Sequence, residues 1–312
     1  MSGDTIKVFV GCDPNNCDLE QMMVLDYSIR KHTQQPVEIV WMQLSRDENS
    51  AWFSDPANKR GWQTEKWATP FSGFRWAIPE YCGFEGRAIY MDADVVVLCD
   101  LAELWQHPMA AGSMVAGKGG NYNARLCTCV WDNVEAKKHL PALKDLQADA
   151  EGHHKLMQKL KDQPSLVQAY QDTTYNCVDG EGLPIEQIKI LHYSDMGTQF
   201  SHEFSFPRLQ AEGMTHWFDG AVMPHPREDL SELFRRYHAE ALAAGYQPEN
   251  YRHAAFGEFP KATQVNYSGN DVTRHKEQKS ALSRGWKKIK NSLSGKKEGF
   301  SLDRCWGVSE FL

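Results

Sequence analysis

A chain of 312 residues that is 41% hydrophobic and holds 10 Trp, 11 Tyr and 14 Phe is long enough to bury a full core, as one large domain with an appendage or as two smaller ones. It contains no run of about 18 apolar residues, so it offers no candidate for a membrane-crossing helix. The net charge of −7 is uneven: residues 274–297 hold nine Lys or Arg against the single acid Glu277, a +8 segment attached to a body of −15. The acidic body, with no recognisable RNA or DNA module, argues against a nucleic-acid partner.

The N-terminus, MSGDTIKVFVGCD, passes directly into a strand pattern without a basic and then apolar leader, and a cytoplasmic location is the expectation. Eight cysteines at scattered spacings, with no C-x-x-C, read as reduced thiols. In chain order, Ile6 to Val10 is a strand, Leu19 to His32 a helix and Val37 to Met42 a second strand, a βαβ unit that implies parallel pairing. Thr69 to Trp76 is read as a helix entered at Pro70 and closed near Pro79. Arg87 to Leu98 returns the chain to the sheet, followed by strands at Ser113 to Ala116, Leu126 to Trp131 and Ile188 to Tyr193. Lys155 to Lys161 and Ser165 to Tyr170 read as helical pieces broken by Pro164. From about residue 225 the spacing of Leu230, Leu233, Phe234 and Tyr237 marks one long helix with acids at its start. The expected organisation is a sheet-bearing domain over 1–225 and a helical C-terminal extension over 226–312.

Residues 88–105, AIYMDADVVVLCDLAELW, place Asp92, Asp94 and Asp100 in and just after the most apolar strand-like run of the chain. Buried carboxylates are costly without opposite charge, and a metal ion is the usual compensation. On a regular strand the two aspartates of D-x-D point to opposite faces, so they converge only where the strand breaks. The carboxyl end of a parallel strand is where α/β sheets place ligands. Oxygen ligation of this kind suits Mg²⁺ or Mn²⁺.

Here the chain resembles the family 8 glycosyltransferases, the group of glycogenin and the bacterial lipooligosaccharide galactosyltransferases. The resemblance covers roughly residues 5–200 and rests on Asp92-Ala93-Asp94, then Asp100, then Glu103-Leu104-Trp105. It implies a GT-A fold, a Rossmann-like mixed α/β sheet flanked by helices, in which the carboxylates hold Mn²⁺ or Mg²⁺ against a UDP-sugar. In the same likeness IKVFVGCD brings Gly11, Asp13 and Asn15 to the uracil and ribose. Arg75 stands where the family contacts the donor sugar and diphosphate, and Ala93 lies beside the donor. Asn123, in YNARLCTCVWDN, meets the sugar, and His192, in KILHYSDMG, supplies the third metal ligand. Asp100 is read as the cap of a short helix carrying Leu101, Leu104 and Trp105. Two features depart from the family. Asp195 and Thr198-Gln199-Phe200 stand where a Gly and a Lys-Pro-Trp are usual, so charge on the leaving diphosphate falls to the metal, Arg75, Lys118 or Arg208. Gln171-Asp172-Thr173-Thr174-Tyr175-Asn176 only partly matches D-Q-D-x-x-N, and makes Asp172 the candidate nucleophile or ion-pair stabiliser.

The implied reaction is metal-dependent transfer of a hexose from a UDP-sugar to a glycan or lipid-linked glycan, with retention, either through Asp172 or by attack on the face from which the phosphate departs. The aromatic stretch around His202, His216 and Trp217 is a candidate acceptor wall. On a helical wheel Leu282, Trp286, Ile289 and Leu293 share an arc opposite Arg284, Lys287, Lys288 and Lys290. That pattern fits an anchor on anionic lipid at the inner face of the membrane. Two alternatives stand beside this reading: a haloacid-dehalogenase-type phosphatase using D-x-D-x-V, and a sugar-nucleotide-binding protein without catalysis on the same fold.

Overall fold

The computed structural model describes residues 5–120, 125–218 and 222–259. It opens with β1 (Ile6–Gly11), α1 (Leu19–His32) and β2 (Val37–Met42), the expected βαβ unit with β1 and β2 parallel. A short antiparallel pair, β3 (Ser54–Asp55) and β4 (Arg60–Gly61), precedes a 3-10 turn over Ser72–Ala77 that runs into α2 (Ile78–Tyr81). Pro79 therefore begins a helix instead of closing one. A first-turn proline has no intrahelical N–H bond to lose, so either role is open to it in sequence.

The stretch from Arg87 to Leu98 is two strands, β5 (Arg87–Asp92) and β6 (Val95–Val97), separated at Ala93 and Asp94. Asp100 caps α3 (Leu101–Trp105) as expected, its carboxylate accepting from the Ala102 N–H at 2.9 Å. Next come β7 (Val115–Lys118), β8 (Arg125–Asp132), α4 (Asn133–Ala136), α5 (Leu143–Ala148) and α6 (Gly152–Asp162). Ser165 to Tyr170 is not one helix: a 3-10 turn over Pro164–Leu166 leads into β9 (Val167–Ala169), which pairs in parallel with β7 at the sheet edge. Six residues after a proline are too few to sustain a helix alone, and the free edge of β7 offers them hydrogen bonds. β10 (Cys177–Val178), β11 (Ile190–His192), α7 (His202–Ala211) and α8 (Glu228–Ala243) complete the order.

The main sheet is mixed, in the order β2-β1-β5-β8-β7-β9, and a small sheet runs β10-β11-β6. Helices flank the main sheet, so the fold class expected from the sequence is the one observed. Strand alternation sends Phe9, Tyr90, Cys129 and Trp131 to one face, where they meet Trp62, Trp67, Phe74 and Trp76. Val8, Val10, Ile89, Met91 and Val130 take the other face, against Met22, Leu25 and Ile29 of α1. α8 lies on α1 and the small sheet: Leu230, Phe234 and Tyr237 pack with Met23, Val24, Val96 and Leu191, and the Tyr237 hydroxyl is 2.7 Å from His32 Nε2. The first helix beyond residue 225 thus shares a core with the sheet. The seven cysteines of the described residues are free thiols. Asn123 and the basic segment 274–297 lie outside the described residues.

Candidate functional site

β5 ends at Asp92, which sits beside Gly11 in the parallel β1–β5 register. The chain then leaves the main sheet at Ala93 and Asp94, and β6 pairs antiparallel with β11 so that Val95 lies opposite His192. This break brings Asp94 to the imidazole: Asp94 Oδ1 is 3.2 Å from His192 Nε2. Cys127 enters the same group through register. β5 and β8 pair Tyr90 with Cys129 and Met91 with Thr128, and Cys127 is the next residue of β8. Donor atoms of Asp92, Cys127 and His192 lie within 4.8 Å of one another, all three residues buried.

Beneath Asp92 the sequence supplies its counter-charge. Arg75 is 3% exposed; its Nη2 lies 3.4 Å from Asp92 Oδ1 and 3.2 Å from the Tyr90 hydroxyl, which itself donates to Asp92. The guanidinium carbon stands 4.5 Å above the Tyr90 ring centroid. Gly11 is required here, because a Cβ at that position would meet Phe71 Cδ2 at 2.7 Å and the Tyr90 hydroxyl at 2.8 Å. Burial pushes the Asp92 carboxyl above its ordinary value, against the pull of Arg75. Burial alone would depress His192, but facing Asp94 and Cys127 it is held well above the usual imidazole range. The group thus concentrates negative charge at a buried point and draws positive charge to it.

A cleft opens over the D-x-D turn, lined by Phe71, Asp92, Asp94, Gln199, His216 and Trp217 among others. Gln199 was not singled out by the sequence. Its Nε2 donates to Asp94 Oδ2 at 2.7 Å and to the Tyr193 carbonyl at 2.8 Å, while Gln21 Nε2 donates to Gln199 Oε1 at 2.5 Å. It stands in the segment where the lysine of the resembled family is missing, and its amide fixes one Asp94 oxygen. Cys127 was also missed. The strand parity of L-C-T-C-V, with one thiol beside the last residue of the D-x-D strand, is the signal that finds it once β5 and β8 are known to pair.

The remaining expected site residues divide. Asp13 is buried and caps the turn after β1, accepting from the Asn15 N–H at 2.7 Å and the Cys17 N–H at 3.0 Å; Asp18, five residues on, lines the cleft. Asn15 is turned to the C-terminal part of the described chain, exchanging bonds with Gly257 at 3.0 and 2.9 Å. Asp172 is not with the D-x-D group. It caps the 3-10 turn Thr173–Asn176, accepts from the Thr174 N–H at 3.0 Å and pairs with Lys189 at 3.3 Å, near Glu103 and Cys99. Lys189 precedes β11 and His192 ends it, so Asp172 and the imidazole belong to opposite ends of the strand. Lys118 is held by Glu181 and by the Asn176 carbonyl at 3.0 Å, and Arg208 by Glu20 at 2.6 Å and the Asn16 carbonyl at 2.8 Å. His202 is inside, its Nε2 2.7 Å from the Met196 carbonyl, whereas His216 and Trp217 do reach the cleft wall.

The residues fit a divalent cation. Asp94 Oδ1 has no partner but the His192 imidazole, and a carboxylate, an imidazole and a thiol offer donor atoms within 4.8 Å of one another beside it, where a bound ion would satisfy them. No family model and no curated relative matches the chain. Among solved structures it is similar to glycosyltransferases. These include apo GlyE of Streptococcus pneumoniae TIGR4, at 18% identity over 82% of this chain and 66% of that one, with a TM-score of 0.47. They also include the galactosyltransferase LgtC in complex with donor and acceptor sugar analogs, at 11% identity, 69% and 98% coverage and a TM-score of 0.44. The bifunctional glycosyltransferase WbbM matches at 16% identity over 61% of this chain, with a TM-score of 0.42, and this chain spans only 46% of that one.

Proposed function

We propose that the chain is a metal-dependent glycosyltransferase that moves a hexose from a UDP-sugar to a glycan or lipid-linked glycan acceptor. The observation that carries this reading is the convergence of Asp92, Asp94 and His192 at the break between β5 and β6, on the floor of a cleft. A Mn²⁺ or Mg²⁺ ion bound by Asp92, Asp94 and His192 would supply Lewis-acid stabilisation of a departing diphosphate. Arg75 and Tyr90 hold the Asp92 carboxylate, and Gln199 holds Asp94, so both ligands are oriented before anything binds. Gly11, at the end of the neighbouring strand, leaves room for the Phe71 ring and the Tyr90 hydroxyl against it. Ala93, in the turn, lines the same cleft.

With Asp172 engaged by Lys189, the reading we take for retention is attack on the face from which the phosphate departs, the phosphate accepting the acceptor's proton. Trp217 and His216 form an aromatic wall against which a sugar ring or base stacks. The basic, amphipathic sequence of residues 274–297 would hold the enzyme at the inner, anionic face of a membrane, beside a lipid-linked acceptor. The deciding experiment is calorimetric titration with UDP, in Mn²⁺ and then in EDTA. Binding that requires the metal supports the proposal; failure to bind UDP in either condition overturns it, and turnover of p-nitrophenyl phosphate would replace it with a phosphatase.

A further inference from the structure

We propose that Cys127 is itself a ligand of the cation held by Asp92, Asp94 and His192, so that the centre is a mixed oxygen, nitrogen and sulfur site favouring Zn²⁺ or Co²⁺ over Mg²⁺. The inference rests on the metal site of the preceding section and adds a donor that the D-x-D and histidine pattern does not contain.

Cys127 and Cys129 are two residues apart on β8 and point to the same face, which makes one a comparison for the other. Cys129 belongs to the apolar cluster with Trp76, Tyr90 and Trp131, and behaves as the small buried hydrophobe that an unreactive cysteine usually is. Cys127, 2% exposed, belongs to none of the three apolar clusters. Its surroundings are polar: Asp92 and His192 beside it, and the Asn176 amide, whose Nδ2 donates to Cys127 Sγ at 3.2 Å. An amide N–H aimed at sulfur is a weak bond to a thiol and a charge-assisted one to a thiolate. Asn176 is fully buried, so its donor has no competing water.

The donor set decides the metal class. Carboxylates alone suit Mg²⁺ and Mn²⁺, whereas a thiolate beside an imidazole suits Zn²⁺ and other soft or borderline ions. Coordination replaces the S–H bond by a sulfur–metal bond, and the proton leaves to the buffer. Three anionic donors on a divalent ion would leave one excess negative charge, which the buried Arg75 beside Asp92 offsets.

The test is X-ray absorption spectroscopy at the zinc edge on the full-length protein loaded with one equivalent of Zn²⁺, which needs no variant. A sulfur scatterer at about 2.3 Å together with nitrogen and oxygen at about 2.0–2.2 Å is the expected result. With Co²⁺ the same site should show a sulfur-to-cobalt charge-transfer band in the near ultraviolet. In Cys127→Ser that band should vanish, Zn²⁺ affinity should fall at least about tenfold, and Mg²⁺ affinity should stay within about threefold. A zinc shell of nitrogen and oxygen only overturns the thiolate ligand while leaving the metal site intact. Absence of zinc and cobalt binding overturns both. Sulfur ligation in a protein that fails to bind UDP keeps this proposal and removes the transferase reading.

Discussion

Asp92 and Asp94 stand two residues apart yet carry different loads. Asp92 is buried with Arg75 and Tyr90 as partners, whereas the Asp94 side chain is 18% exposed and faces the cleft. Asp94→Asn should therefore weaken metal-dependent UDP binding at least about tenfold by calorimetry. Retained affinity in that variant would remove Asp94 from the site. Arg75→Leu acts differently, because it strands the Asp92 carboxylate in a dry environment. A loss of about 3–5 kcal/mol in denaturant unfolding is expected, the range found when one partner of a buried pair is deleted. Gly11→Ala tests the packing beneath Asp92: with Phe71 and Tyr90 already against the missing Cβ, overpacking should cost about 1–3 kcal/mol and disturb the Tyr90–Asp92 bond.

Elements fix where these side chains meet, and α7 shows how one is held. His202, in its first turn, approaches the Met196 carbonyl through Nε2, while its Nδ1 is buried without a partner and its ring packs on Phe206 and Phe218. Burial lowers its pKa from the ordinary imidazole value of 6.5 to about 4, the hydrogen bond to Met196 opposing. His216, edge-on to it with ring centroids 5.0 Å apart, is lowered in the same direction to about 3. Between pH about 6.5 and 4 the unfolded chain thus binds a proton at His202 that the folded chain does not. The contribution of this neutral histidine is complete above about pH 6.5 and is lost as the pH falls toward 4. Thermal melts from pH 7 to 4.5 should show a steeper decline for the wild type than for His202→Gln, which keeps an N–H for the carbonyl and has nothing to protonate. Parallel slopes would contradict a buried neutral His202.

Over the whole molecule the charge asymmetry becomes a prediction about place. The −15 body repels an anionic surface and the +8 segment attracts one, each basic residue near such a surface contributing about 1 kcal/mol at moderate salt. A chain lacking residues 274–312 should lose binding to vesicles rich in phosphatidylserine, measured by co-sedimentation, and keep its metal-dependent UDP binding. Undiminished sedimentation would place the membrane contact, if any, elsewhere. Among the described residues no helix is long and apolar enough to cross a bilayer.

Local pattern was enough for β1, α1, β2 and α8, because each carries an apolar period that only one kind of element buries. It was also enough for the D-x-D turn, since two carboxylates in an apolar run demand a break in the strand and a compensating charge. Pattern failed at β9, where the open edge of β7 and not the propensity of Ser165 to Tyr170 sets the outcome, and at Pro79, whose two allowed roles look alike in sequence. The pairing of Asp172 with Lys189 through a short turn, and of Asn15 with Gly257 across 242 residues of chain, likewise lies outside any local window. Cys127 and Gln199 joined the site only in three dimensions, one through the antiparallel register of β5 with β8, the other through a turn folded back over Asp94. The sequence determined that carboxylates would be gathered at a strand end, because their burial cost is a property of the residues. Which thiol, amide and guanidinium would surround them was decided by strand register and long-range packing, which no local window contains.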